Sequence, residues 1–136
     1  MKNKKINIIT LGCSKNLVDS EKLLRQIRSG GYEITHNSDD LSAGTVIINT
    51  CGFINDAKEE SVDTILKYVR ARERGDIDNL YVMGCLSERY MDDLKTEIHG
   101  VKRYFGVNNM NDILNELGIK YSDDMRFQRE ISGPGH

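Results

Sequence analysis

Short apolar runs rich in β-branched residues alternate along this chain with longer segments in which apolar residues return every three or four positions. That alternation predicts a parallel sheet with crossover helices. Five runs have strand character: residues 6–11, 32–36, 45–49, 80–83 and 103–107. Between the first two, residues 16–28 carry Leu17, Leu24 and Ile27 near helical spacing, and Gly30-Gly31 supplies a stop. Residues 56–74 form the longest helical segment. It has a stripe of Val62, Ile65, Leu66 and Val69, a capping-box pattern from Asp56 to Glu59, and Gly75 at its end. Helices are also predicted at 87–99 and 110–117, closed by Gly100 and Gly118. The polar stretch 37–44 leaves no room for a regular helix, so the second and third strands are expected to be joined irregularly. The expected fold is α/β: a five-stranded parallel, doubly wound sheet of flavodoxin-like order 2-1-3-4-5, with helices on both faces.

Periodicity fades after Gly118. Residues 1–118 are therefore expected to form one domain, and 119–136, finishing in Ser132-Gly-Pro-Gly-His136, a polar linker that leads onward.

At 136 residues the chain is long enough to close a core without disulfide or metal staples. Its 38% apolar and 29% charged residues suit helices with well-solvated outer faces. No stretch approaches the ~18 apolar residues of a spanning helix. Met1-Lys-Asn-Lys-Lys5 runs straight into a strand-like segment rather than into a signal peptide, so no membrane association and a cytoplasmic location are expected. A net charge of -2 with both signs interspersed predicts no direct nucleic-acid binding, which calls for a concentrated basic patch. Three cysteines, an odd number, argue against a disulfide framework and for thiols used as metal ligands or in redox work.

Those cysteines recur at one place in each structural unit. Cys13 closes the first predicted strand, Cys51 the third and Cys85 the fourth, each flanked by a glycine: Gly12, Gly52 and Gly84. In a sheet of order 2-1-3-4-5 these strands are adjacent, and the boundary of the first and third is the switch point where ligands bind. Strands ~4.8 Å apart bring three thiols at neighbouring ends within reach of one small centre. The segments after them begin helices, whose dipoles favour thiolate, the form that ligates metal. Three thiolates suit zinc completed by another ligand, or an iron–sulfur cluster with one exchangeable iron. His36, His99 and His136 are expected on the solvated surface rather than as ligands.

Other chemistries lack their residues. No G-x-x-x-x-G-K-[ST] or G-x-G-x-x-G follows the first strand, a phospho-acceptor carboxylate is missing at the end of the third, and no histidine neighbours a cysteine-bearing loop to serve as base. Ser14, Asn16, Asn49, Thr50 and Ser87 lie in the same loops and could donate hydrogen bonds to a bound group, although caps and turns account for each one singly. Asp19, Glu21, Glu59 and Glu60 stand early in helices, where they complement the dipole.

The motifs Leu11-Gly-Cys-Ser-Lys-Asn-Leu-Val-Asp-Ser-Glu21, Ile48-Asn-Thr-Cys-Gly-Phe-Ile54 with Ala57-Lys-Glu-Glu-Ser-Val-Asp63, and Gly84-Cys-Leu-Ser-Glu-Arg-Tyr90 closely resemble the N-terminal domain of the radical-SAM methylthiotransferases. Gly-Cys-Ser-Lys-Asn makes the chain most like the ribosomal-protein branch rather than the branch that modifies adenosine in tRNA. The resemblance implies that Cys13, Cys51 and Cys85 ligate an auxiliary [4Fe-4S] cluster whose fourth iron stays open to carry the sulfur being transferred. It further implies a full-length enzyme with a second [4Fe-4S] cluster and S-adenosylmethionine. Such an enzyme would methylthiolate the β-carbon of an aspartate in a small-subunit ribosomal protein. The C-x-x-x-C-x-x-C motif of the radical-generating cluster is absent, as is a C-terminal substrate-binding domain. This chain is therefore expected to partner those domains and to be inactive alone. The rival expectations are a tRNA adenosine methylthiotransferase domain and a non-catalytic zinc-binding or interaction module.

Overall fold

The computed structural model describes residues 5–11, 14–37, 43–50, 55–84, 86–87, 90–106 and 110–118, apart from the side chains of 14–16, 55–58 and 110. Five strands, β1 (Lys5–Thr10), β2 (Glu33–His36), β3 (Thr45–Thr50), β4 (Asn79–Gly84) and β5 (Arg103–Tyr104), form one sheet of order β2-β1-β3-β4-β5. Every pairing is parallel. The four described helices are α1 (Ser14–Ser29), α2 (Asn55–Glu73), α3 (Met91–Glu97) and α4 (Met110–Glu116). The expected doubly wound, flavodoxin-like arrangement is present.

Period-two alternation divides the strand side chains between two cores. Ile9, Val46, Ile48, Leu80, Val82 and Tyr104 pack with Ile65, Tyr68 and Val69 of α2 and Leu94 of α3. On the opposite face Ile6, Ile8, Ile47, Tyr81, Met83 and Phe105 pack with Leu23 and Ile27 of α1 and Ile113 and Leu114 of α4. A parallel sheet covered on both faces needs apolar residues at consecutive positions. Val46-Ile47-Ile48 and Leu80-Tyr81-Val82-Met83, all buried, meet that need.

Helix ends follow the sequence closely. Gly31, at φ 92, stops α1 by donating its N–H to Arg28 O at 3.0 Å. The apolar face of α1 differs from the expected one: Leu23 is fully buried with Ile27, while Leu17 is 41% exposed. The helix expected at 87–99 is helical at Leu86 and Ser87 and again from Met91 to Glu97, with Tyr90 N–H bonded to Leu86 O at 2.9 Å. Only Ala43 and Gly44 of the expected irregular connection after Asn37 are described, and the Gly44 carbonyl accepts from the N–H groups of Asp78 and Asn79. The capping box at Asp56 and the tail 119–136 lie outside the described residues.

Strand β5 is only two residues long, and a side chain secures it. The buried Tyr104 hydroxyl lies between the carbonyls of Leu94 (3.4 Å) and Ile98 (3.3 Å), so the strand is tied to the end of α3. Burial pushes that phenol up to about 12.

Candidate functional site

Parallel register sets the carboxyl ends of β1, β3 and β4 side by side. Thr10 pairs with Asn49, Asn49 with Met83, and Thr50 with Gly84. In the chain, Cys51 directly follows Thr50, Cys85 directly follows Gly84, and Cys13 comes three residues after Thr10. Cys13, Cys51 and Cys85 themselves lie outside the described residues, as do Gly12 and Gly52. Among the described residues there is no group of three or more His, Cys, Asp or Glu that could hold a metal ion.

Buried side chains stitch the three strand ends together. Between β1 and β3 the link is Ser20 on α1, whose Oγ accepts from Thr10 Oγ1 at 2.7 Å and from Asn49 Nδ2 at 3.0 Å. Between β3 and β4 the link is Thr50. Its hydroxyl donates to Met83 O at 2.6 Å and accepts from the Ser87 N–H at 3.3 Å. One side chain thus holds both the strand before Cys85 and the turn after it, from the position that precedes Cys51. Thr50→Val keeps the shape and removes both bonds. It is expected to cost about 1–3 kcal/mol in urea unfolding, with Thr50→Ser recovering most of the loss. A Thr50→Val protein within ~0.5 kcal/mol of wild type would show that the clamp carries no weight.

Backbone packing at the same edge is close. Gly84 has φ 101, and a Cβ there would stand 2.5 Å from Asn49 Oδ1, 2.5 Å from Thr50 O and 2.7 Å from Thr50 N. Glycine is needed at this position for both its conformation and its missing side chain.

His36 departs from the expected solvated surface position. It is half-buried at the end of β2, with Nε2 2.7 Å from Thr10 Oγ1. Which of the two donates depends on the imidazole tautomer. Asn37, in the left-handed region at φ 55, accepts from Thr10 N–H at 2.7 Å through Oδ1. A polar chain therefore runs from His36 through Thr10 and Ser20 to Asn49. Sequence reasoning missed Ser20 and His36; the one available signal was a polar Thr10 and Asn49 at the ends of the apolar runs Ile8-Ile9 and Val46-Ile47-Ile48. His99 is exposed as expected, and His136 lies outside the described residues.

Of the five suggested hydrogen-bond donors, Asn49 and Thr50 are committed to protein partners. Ser14 and Asn16 have side chains outside the described set. Ser87 is fully buried and its Oγ has no hydrogen-bond partner among the described residues.

Comparison with known proteins bears on this edge directly, because the model of the uncharacterized protein family UPF0004 matches residues 5–106, which span all three strand ends. The chain belongs to that family. This UPF0004 chain is 52% identical over 136 residues to the "Ribosomal protein uS12 methylthiotransferase RimO" of Phocaeicola vulgatus, covering 100% of the chain and 32% of that relative. The protein of the same name from Bacteroides thetaiotaomicron is 48% identical, with 100% of the chain and 31% of the relative covered. That of Cytophaga hutchinsonii is 50% identical over 132 residues, 97% of the chain and 30% of the relative. The UPF0004 chain thus spans about a third of the length of the curated relatives it matches. Its expected resemblance to the N-terminal domain of the methylthiotransferases, most like the ribosomal-protein branch, is borne out. Among the described residues no helix is long and apolar enough to cross a membrane.

Proposed function

We propose that this chain is the cluster-holding part of an enzyme that methylthiolates ribosomal protein uS12, with Cys13, Cys51 and Cys85 as the three protein ligands of an auxiliary [4Fe-4S] cluster. The observation that carries the reading is the adjacency of β1, β3 and β4, since each cysteine follows the carboxyl end of one of these strands in the chain. The residues fit such a group. Three thiols form a soft donor set, Gly84 leaves space where a side chain would press on β3, and a buried Ser87 hydroxyl stands without a partner among the described residues. When bound, the cluster supplies an iron without a protein ligand, at which the sulfur to be transferred is carried.

The chain's own contribution is to hold and charge the ligands. The clamps at Ser20 and Thr50 fix the strand ends from which the cysteines continue in the chain. Cys13 immediately precedes α1, whose N-terminal dipole favours the thiolate. In this reading 1–118 is the cluster domain and 119–136 the linker toward a radical-SAM domain. The rest of the enzyme provides the second [4Fe-4S] cluster, S-adenosylmethionine and the substrate-binding domain. The target is the β-carbon of an aspartate of the ribosomal protein, in the cytoplasm, and the chain alone completes no turnover.

The test is anaerobic reconstitution of the chain with iron and sulfide, with metal and sulfide counts and electronic spectra, for wild type, Cys13→Ala, Cys51→Ala and Cys85→Ala. Four irons per chain, lost or severely depleted in each variant, are expected for one three-thiolate cluster. Zinc binding without cluster assembly, or equal assembly in the alanine variants, would replace this reading with the non-catalytic module.

A further inference from the structure

Ser87 follows Cys85 by two residues and is 0% exposed. Its main chain is fixed, because the N–H donates to Thr50 Oγ1 at 3.3 Å. Its hydroxyl is not. Among the described residues Thr35 Oγ1 and Ser87 Oγ are the buried side-chain atoms without a hydrogen-bond partner, and Thr35 belongs to the edge strand β2. An unpaired buried hydroxyl destabilises a fold, and alanine would occupy the same space without that penalty. Among the described residues, Thr50 is engaged with Met83 and the Ser87 N–H, and Asn49 with Ser20. What remains is a buried O–H donor without a partner among the described residues, two positions after Cys85 in the chain.

We propose that Ser87 Oγ donates a hydrogen bond to a sulfur atom of the centre held by Cys13, Cys51 and Cys85, and thereby sets how readily that centre takes up an electron. The inference rests on the cluster reading above. A donor aimed at a ligand sulfur draws electron density from it and favours the reduced, more negative form, so the hydroxyl raises the reduction potential. Serine at this position is then a tuning residue whose acceptor arrives with the metal.

Ser87→Ala separates this role from a structural one, because two measurements move in opposite senses. The iron-free variant is expected to be at least as stable as wild type in urea unfolding, since it loses an unsatisfied group. After anaerobic reconstitution it is expected to carry the full iron and sulfide complement, with its potential shifted to a more negative value in redox titration. An iron-free variant that unfolds more readily than wild type would mean that the hydroxyl has a protein partner, overturning the proposal. A full cluster at an unchanged potential would overturn the tuning role alone. If the wild type itself assembles no cluster, the underlying reading fails and the proposal with it.

Discussion

Gly84→Ala is expected to destabilise the protein by about 2–6 kcal/mol, a large part of the ~5–15 kcal/mol that holds a typical domain. Two costs add. A residue with a side chain held at φ 101 pays on the order of 1–3 kcal/mol in the backbone. The new Cβ also meets Thr50 O at 2.5 Å and Thr50 N at 2.7 Å, and overpacking of this kind costs typically ~1–3 kcal/mol. Those two atoms are backbone of the neighbouring strand, so relief requires β3 and β4 to separate where the chain continues to Cys51 and Cys85. Gly31→Ala is the control, because Gly31 has φ 92 but nothing within 4 Å of the added carbon. It should lose only the conformational part. Equilibrium urea unfolding of the two variants decides the matter, and equal losses would show that close packing at Gly84 adds nothing.

The second large effect concerns α1. Leu23→Ala is expected to cost about 2–5 kcal/mol, since Leu23 is fully buried against Ile6, Ile8 and Ile27. Leu17→Ala, at a position 41% exposed, should stay within ~0.5 kcal/mol of wild type. The same unfolding experiment measures both, and a reversed order would mean that α1 is rotated relative to the structure described above. Apolar spacing alone put Leu17, Leu24 and Ile27 on the inner face. The inner face instead follows Ser20, Leu23 and Ile27, and a serine breaks its apolar signature. Ser20 can be buried because Asn49 and Thr10 satisfy it, and no count of apolar positions registers such a contact.

The same distinction separates what was legible from what was not. Strand order and the doubly wound arrangement could be read because consecutive apolar runs in β3 and β4 demand cover on both faces, and long helical segments between strands allow parallel pairing. Gly31 could be read as a helix stop because its effect is local. The Thr50 clamp and the His36–Thr10 contact join residues 37 and 26 positions apart along the chain, so they depend on a register that exists only in the folded sheet. Composition and spacing carry no trace of them. The family resemblance was legible for a different reason: short, contiguous motifs around each cysteine carry it, and the match over residues 5–106 agrees.

The middle position of β3 has a consequence in time as well as in space. All six of its residues are buried between β1 and β4, whereas β2 at the edge has one exposed and three half-buried residues and β5 is two residues long. Fluctuations that open a sheet begin at such borders, and its centre parts last. The strand ends that lead to Cys13, Cys51 and Cys85 therefore stay in company while the edges breathe. A group held at these cysteines would be carried by strand ends that part later than the borders of the sheet.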